Sequence, residues 1–190
     1  MLDRKLPSGF TIVELLIVVV VISILATITV VAFNGVQARS RDTVRLQDMK
    51  SIIKALEAYK TVNGSYPAVT STLNSGGWEV SSDGTAATNY IAVLNAAAIS
   101  SKLPVDPVNT ANPAATSPGR SSSNRIYFYY RYSAGSYGCD VTRGAYYILG
   151  VSRMDTVPSG QSHSESPGFS CSGRTWLSEG AWVYGAYTNG

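Results

Sequence analysis

The hydrophobic pattern is dominated by one long apolar run near the N-terminus. Within residues 10–33 a single ionisable side chain occurs, that of Glu14. At about 1.5 Å of rise per residue, a helix of this length crosses the hydrocarbon core of a bilayer. A carboxylate at the centre of such a helix costs about 2.5 to 3.5 kcal/mol, so an acid here is by default a functional residue with a partner. The alternative is an acid lifted to the headgroup level by its place near the helix start.

After the apolar run the pattern stays helical but becomes amphipathic. Apolar residues recur at three- and four-residue spacing, with charged residues between them. They are Leu46, Met49, Ile52, Ile53, Leu56 and Tyr59. The pair Asn63-Gly64, followed by Pro67, is a typical helix end signal. The sequence therefore predicts one helix over residues 10–62, whose amphipathic part, residues 34–63, offers an apolar stripe to a globular domain.

Residues 64–190 combine short β-type segments with tracts rich in Ser, Gly, Pro and Asn. The pattern predicts a short helix over residues 89–100 and strands over residues 125–132, 145–151 and 176–187, the last with a break at Gly180. Alternation along the first strand places Tyr127, Tyr129 and Arg131 on one face and Ile126, Phe128, Tyr130 and Tyr132 on the other. An apolar sheet face needs cover, which the helix stripe can supply. We predict an α+β fold, with a long N-terminal helix packed on a small antiparallel sheet of about three to four strands.

The balance of charge limits the function classes. The chain of 190 residues has a formal charge of +3, and beyond Gly64 seven basic residues balance seven acidic ones. A dedicated nucleic-acid-binding domain would carry a basic patch. A neutral domain with abundant Ser, Thr, Gly, Asn and Tyr is instead typical of an extracellular surface.

A motif surrounds the start of the apolar run. Its residues are Arg4, Lys5, Gly9, Phe10, Thr11 and Glu14. They closely resemble the processing site of type IV pilins and of the pseudopilins of type II secretion, the class III signal peptides. The stretch AYKTVNGSYP, residues 58–67, resembles the end of the long helix in the same family, and so do Leu103-Pro104 and Asp106-Pro107 further on.

The resemblance implies processing followed by assembly. A membrane-embedded prepilin peptidase would cut after Gly9, leaving Phe10 as a new and usually methylated N-terminus. The implied segments are a leader (1–9), a membrane and filament-core helix (10–33), its amphipathic continuation (34–63) and a globular head (64–190). In the family, the Glu14 carboxylate of an incoming subunit meets the Phe10 amine of its neighbour, which pairs an otherwise lone charge.

The resemblance also implies a role and a location. The chain would be a structural subunit and not an enzyme. It would be a single-pass protein of the cytoplasmic membrane until a pilus assembly platform adds it to an extracellular filament of identical subunits. Twitching, adhesion, secretion and DNA uptake are all served by such filaments.

Cys139 and Cys171 are the only cysteines. In a domain delivered across a membrane they suggest one disulfide, and many pilins carry such a bond in a C-terminal loop. In the chain-entropy model this bond would contribute on the order of 3 to 4 kcal/mol. Two unpaired thiols are the alternative, because the sequence does not show whether the two Cα atoms come within bonding range.

Two other interpretations of the apolar run compete with a cleaved leader. An ordinary secretory signal would be shorter, although Val36-Gln37-Ala38 has the form of its cleavage site. An uncleaved single span, anchoring an extracellular interaction protein, fits the length equally well. The arginines after the run, Arg39, Arg41 and Arg45, outnumber the basic residues before it, so the positive-inside rule does not set the orientation.

Other chemistry is weakly supported. His163 is the sole histidine, and no nucleophile elbow accompanies it. We expect no cofactor and no metal, although calcium is a candidate ligand because pseudopilins bind it and scattered acids are available. These acids are Asp106, Asp140, Asp155 and Glu165. The aromatic and basic residues within residues 125–132, with Arg143, Tyr146 and Tyr147, could stack on single-stranded DNA, but burial against the helix explains most of these tyrosines more simply.

Overall fold

The computed structural model describes residues 9–69, 77–81, 90–97, 99, 103–110, 118–119 and 123–190. The chain divides into two compact units, an N-terminal unit, Met1–Arg39, and a head unit, Ser40–Gly190. The predicted leader, residues 1–9, lies outside the described residues apart from Gly9.

The long helix, α1, runs over Ile12–Asn63 and confirms the prediction of a single helix. It begins two residues later than expected because Thr11 caps it from outside. It ends where the sequence indicated: Gly64 adopts the left-handed conformation (φ 73°), and its N–H donates to Lys60 O at 2.8 Å. A residue with a Cβ would be strained at that position, so glycine is suited to stop the helix.

The N-terminal part of α1 exposes an apolar surface. From residue 9 to residue 37 every side chain that the structure describes is exposed. The hydroxyls in this stretch are satisfied within the helix. Ser23, Thr27 and Thr29 each donate to the carbonyl oxygen four residues earlier, at 2.8 Å. Each of these three hydroxyl groups therefore has an acceptor within its own helix. None would be an unpaired donor if the helix were surrounded by hydrocarbon.

The head unit contains a four-stranded antiparallel sheet, which confirms the α+β prediction. Its strands are β1 (Glu79–Val80), β2 (Tyr127–Tyr132), β3 (Tyr146–Val151) and β6 (Trp182–Tyr187), in the order β1-β2-β3-β6. A separate hairpin consists of β4 (Ser170–Cys171) and β5 (Arg174–Thr175). The other elements are a short helix, α2 (Ala92–Ala96), and two 3₁₀ turns, Ser136–Gly138 and Val141–Arg143.

Three predicted boundaries need correction. The first strand starts at Tyr127, because Arg125 forms only an isolated bridge to Thr110. The third predicted strand, over residues 176–187, is shorter, because regular pairing begins only at Trp182. At Gly180 the chain lies so close to Val151 and Phe128 that a Cβ would collide with them. The short helix predicted over 89–100 is five residues long, since Ile91 takes a positive φ of 49° just before it. Residues 89, 98 and 100 of that prediction lie outside the described part.

Both faces of the sheet are covered, and the predicted alternation along β2 is confirmed. On one face Tyr127 and Tyr129 pack with the stripe of α1, formed by Met49, Ile52 and Leu56. The Tyr127 hydroxyl donates to Asp48 of the same helix at 2.7 Å. On the opposite face Ile126 and Phe128 join a second cluster. Its other buried members are Trp78, Val80, Cys139, Tyr146, Ile148, Trp176 and Val183. From the sequence, only one face of the sheet was predicted to be covered, by the apolar stripe of the helix.

A disulfide fastens the cover of the second face. Cys139 and Cys171 are bonded, with Cα atoms 4.9 Å apart, so the alternative of two unpaired thiols does not hold. Cys139 lies in the connection between β2 and β3, and Cys171 lies in the β4–β5 hairpin. The bond therefore ties the β2–β3 connection to the hairpin, in the cluster that contains the buried Trp176.

Candidate functional site

The residues before α1 form an exposed approach to the helix. Gly9, Phe10 and Thr11 have no regular secondary structure, and the side chain of Phe10 is exposed. A Cβ built on Gly9 would meet no atom within 4 Å. None of the residues that the structure describes therefore crowds Gly9, after which the leader would be cut.

Thr11 and Glu14 form a capping box at the start of α1. The Glu14 carboxylate atom Oε2 accepts from the Thr11 N–H at 2.9 Å and from the Thr11 hydroxyl at 2.7 Å. In return Thr11 Oγ1 accepts from the Glu14 N–H at 3.2 Å. Threonine at the cap and glutamate three residues later is the usual sequence of this motif, and a carboxylate near the first turn also favours the helix dipole.

This capping role of Glu14 was missed by the sequence analysis, although the signal T-x-x-E is present in the sequence. The hydrogen bonds that Glu14 accepts fall on one oxygen, Oε2, and Oε1 has no hydrogen-bond partner among the described residues. The carboxylate can thus cap its own helix and still accept from a second group. The site residues predicted from the sequence in this segment, Gly9, Phe10 and Glu14, lie within six residues of chain.

A second polar site is buried in the head unit. The Arg45 guanidinium, wholly buried, contacts three aspartates: Nη1 lies 2.7 Å from Asp42 Oδ1 and 2.9 Å from Asp155 Oδ2. Its Nε and Nη2 meet the two oxygens of Asp106 at 2.7 and 3.0 Å, a bidentate pair. We call this group, together with Arg41 and Arg125, the Arg45 cluster.

Two further arginines complete the Arg45 cluster. Arg41 Nε lies 2.6 Å from Asp155 Oδ2, and Arg125 Nε lies 3.1 Å from Asp155 Oδ1. Three arginines thus face three aspartates, so the cluster is formally neutral. It joins α1 to the loop around Asp106 and to the segment after β3, elements far apart in the chain. These ion pairs connect the part of α1 that belongs to the head unit to two other segments of that unit.

The electrostatics of the cluster favour the charged forms. Burial opposes ionisation of Asp42, but the N–H groups of Asp155 and Thr156, the Thr156 hydroxyl and Arg45 all donate to its carboxylate. These bonds outweigh burial and lower the pKa of Asp42 below 3.8. For Asp155 burial is likewise outweighed by hydrogen bonds from Arg41 and Arg45, and its pKa is lowered.

A pH dependence of stability follows from these shifts. A carboxyl group whose pKa is lower in the folded state stabilises the fold above its unfolded pKa, and this contribution is lost as the pH falls through the folded value. We expect the free energy of unfolding of the detergent-solubilised chain to hold from neutral pH to about pH 5 and to fall below about pH 4. The measurement is denaturant unfolding at a series of pH values. Asp42→Asn should flatten that fall, and an equally steep fall in the variant would contradict the assignment.

The Arg45 cluster also accounts for the basic residues after the apolar run. Arg41 and Arg45 belong to a neutral, partly buried network and not to a free basic flank. Counting them in the positive-inside rule therefore overstated the charge on that side of the run.

The acids considered for calcium have other roles. Asp106 and Asp155 are engaged by arginines, and Asp140 caps the turn Val141–Arg143 by accepting from the Thr142 N–H at 2.9 Å. Glu165 is exposed, and its N–H donates to His163 Nδ1 at 3.1 Å. Within the described ranges, no group of three or more His, Cys, Asp or Glu side chains could hold a metal ion.

The residues considered for stacking on DNA are mostly inaccessible. Tyr127, Tyr129, Tyr146 and Tyr147 are fully buried, and Arg125 is paired with Asp155. These four tyrosines are therefore core residues and Arg125 is an ion-pair residue, which agrees with burial as the explanation for most of the tyrosines.

Comparison with known proteins bears on the start of the apolar run. The family described as "Prokaryotic N-terminal methylation motif" matches residues 4–30, which include Gly9, Phe10 and Glu14. Residues 4–30 therefore carry a prokaryotic N-terminal methylation motif. The resemblance inferred from the processing motif is thereby confirmed.

Two curated relatives extend the match beyond the motif. Type II secretion system core protein G of Pseudomonas aeruginosa is 37% identical over 67 residues, which cover 35% of this chain and 47% of the relative. The protein of the same name from Aeromonas hydrophila is 30% identical over 66 residues, covering 35% and 46%. The chain thus spans about half the length of the curated relatives it matches. No solved structure matches the chain significantly.

The helix of this pseudopilin-like segment is long and apolar enough to cross a membrane. Within Ile12–Asn63 the most apolar stretch has a mean hydropathy of 3.1, and none of it is buried in the described structure. By its length and composition this helix is therefore a candidate membrane span.

Proposed function

We propose that this protein is a pseudopilin or type IV pilin subunit that is processed after Gly9 and assembled into a helical filament. The observation that carries the proposal is the carboxylate of Glu14, the single acid in the apolar run, which caps the start of α1 five residues after Gly9. A prepilin peptidase would act at the Gly9–Phe10 bond. The segments would then be leader (1–9), membrane and filament-core helix (10–33), amphipathic helix (34–63) and head (64–190).

Assembly would cover the exposed apolar surface of α1 and would give Glu14 Oε1 a hydrogen-bond donor. The apolar side chains from residue 12 to residue 36 need lipid before assembly and neighbouring helices after it. Oε1 of Glu14 can accept from the Phe10 amine of a neighbouring subunit while Oε2 caps the helix. Such a contact is heterologous, so it repeats without closing and generates a filament. The subunit would reside in the cytoplasmic membrane until an assembly platform transfers it to the extracellular filament.

The experiment replaces Glu14 and measures filaments in cells that carry the assembly machinery. We expect Glu14→Val to remain in the membrane with a mature mass beginning at Phe10, while filaments in the sheared fraction fall at least about tenfold, since an unpaired amine would be left in an apolar core. Immunoblotting of the sheared fraction gives the yield, and mass spectrometry gives the N-terminus.

A control separates pairing from capping. Thr11→Ala removes the side-chain half of the capping box, at a cost of about 1 kcal/mol, but keeps the carboxylate. We expect that variant to assemble filaments at near the normal yield. Equal loss in both variants would assign Glu14 to capping alone, and normal yield from Glu14→Val would refute the pairing. A mature chain that still begins at Met1 would favour the uncleaved membrane-anchored interaction protein.

A further inference from the structure

A cleft of about 430 Å³ opens in the head unit between the C-terminal end of α1 and the end of β6. Glu57, Lys60 and Tyr66 line one side. Tyr184 and Tyr187 of β6 and Arg143 from the loop before β3 line the other. A cleft of this size takes a ligand of a few rings, since small-molecule sites span about 300 to 1,000 Å³. Nothing in the filament role uses it.

The walls of the cleft are aromatic. Phe169 and Tyr187 also contact each other, with ring centroids 5.4 Å apart. Between Tyr184 and Ala186, the glycine at position 185 lets the Phe169 ring lie against the β6 backbone, because a Cβ there would collide with that ring. The cleft is thus lined by aromatic rings together with charged groups, a combination that suits ligands with both C–H faces and hydroxyls.

One set of polar groups is already organised. The Tyr66 hydroxyl donates to Glu57 Oε1 at 2.6 Å, and Lys60 Nζ lies 3.3 Å from that hydroxyl and 3.7 Å from Glu57 Oε2. The carboxylate and the ammonium are therefore held side by side, both partly exposed. A neighbouring acceptor and donor can bind a pair of adjacent hydroxyl groups.

Arg143 supplies a separate cation. Its guanidinium lies over the Tyr187 ring, 4.0 Å from the centroid, which fixes its plane at the rim of the cleft. None of the ion pairs of the described residues includes Arg143, although its charge contributes to lowering the pKa of Asp140 after the bonds from Thr142. A stacked guanidinium with uncommitted donors fits a carboxylate bidentately.

We propose that this cleft binds an acidic saccharide of the uronic-acid class. The sugar ring faces would lie on the aromatic walls, its hydroxyls would meet Glu57 and Lys60, and its carboxylate would meet Arg143. The proposal does not depend on filament formation, because every residue that carries it belongs to the head unit of one chain.

The test titrates the full chain, in mild detergent, with the trimer of galacturonic acid and with its methyl ester. Calorimetry should show saturable binding of the acid in the millimolar range, and about tenfold weaker binding of the ester, which lacks the charge. Arg143→Ala should weaken binding of the acid about tenfold and leave binding of the ester nearly unchanged. Lys54→Ala, which removes an exposed cation on α1 outside the cleft, should leave both unchanged.

Several outcomes would overturn the proposal. They are the absence of saturable binding up to about 10 mM, equal affinities for the acid and the ester, and equal weakening by Lys54→Ala and Arg143→Ala. Tighter binding of a short thymidine oligonucleotide than of the uronate would assign the cleft to single-stranded nucleic acid instead. Because Arg143 is exposed, its variant should unfold at the wild-type temperature, and this measurement confirms that a loss of binding is local.

Discussion

Arg45→Ala should destabilise the head unit by about 3 to 5 kcal/mol, because it leaves carboxylates of Asp42 and Asp106 buried without their counter-charge. Arg45 is wholly buried and bonds to three aspartates on separate segments. Urea unfolding of the detergent-solubilised chain, followed by tryptophan fluorescence, measures the change. All three tryptophans lie in the head unit, so the signal reports on that unit.

The matched control for this prediction is Lys50→Ala. Lys50 is a cation on the same helix, five residues further on, and it is exposed. Its removal should change the free energy of unfolding by no more than about 0.5 kcal/mol. If Arg45→Ala also changed the free energy of unfolding by no more than this amount, the Arg45 cluster would not stabilise the head unit. Arg45→Lys should recover only part of the loss, since an ammonium cannot bond both oxygens of Asp106 in the same plane.

Removal of the disulfide is expected to have a comparable effect. The double variant Cys139→Ser/Cys171→Ser should lose about 3 to 4 kcal/mol, since the bond closes a loop of sequence separation 32. The loss includes loosened cover over the second sheet face, where Cys139 packs with Trp176. Thermal unfolding measured by near-ultraviolet circular dichroism reports that packing.

A reductant provides the internal control. It should lower the unfolding temperature of the wild-type chain to that of the double variant and leave the variant unchanged. Mass spectrometry under non-reducing conditions should find the wild-type chain about 2 Da lighter than its reduced form. An unfolding temperature insensitive to the reductant would show that the bond contributes nothing to stability.

At the N-terminus one side chain has one observed role and one proposed role. Glu14 was singled out because a lone acid in an apolar run needs a reason, and the resemblance to pilins supplied an intermolecular one. The structure adds an intramolecular use, the capping box with Thr11. The two are compatible because a carboxylate has two oxygens. Substitutions at Glu14 therefore need the Thr11 control before any effect is attributed to assembly.

Sequence reasoning succeeded where the signal is local. The helix was predicted almost to its ends, because apolar spacing, a glycine cap and the absence of proline all act within a few residues. The alternation in β2 was right for the same reason. The break at Gly180 was also predicted, but the strand starts only at Trp182. The start of β6 and the bounds of α2 were wrong because Gly180 and Ile91 contact residues from other segments, namely Phe128 and Glu79.

By itself the sequence determined the N-terminal methylation motif, the apolar run, the helix that continues it and the β-type segments of the head. Each of these depends on residues that are close along the chain, so periodicity and propensity suffice to identify them. The tertiary structure decided which partners distant residues find: Arg45 with Asp106 and Asp155, Cys139 with Cys171, and Arg143 with Tyr187 at the cleft. These contacts join residues that no local pattern relates, because only the folded path of the chain brings them within bonding distance.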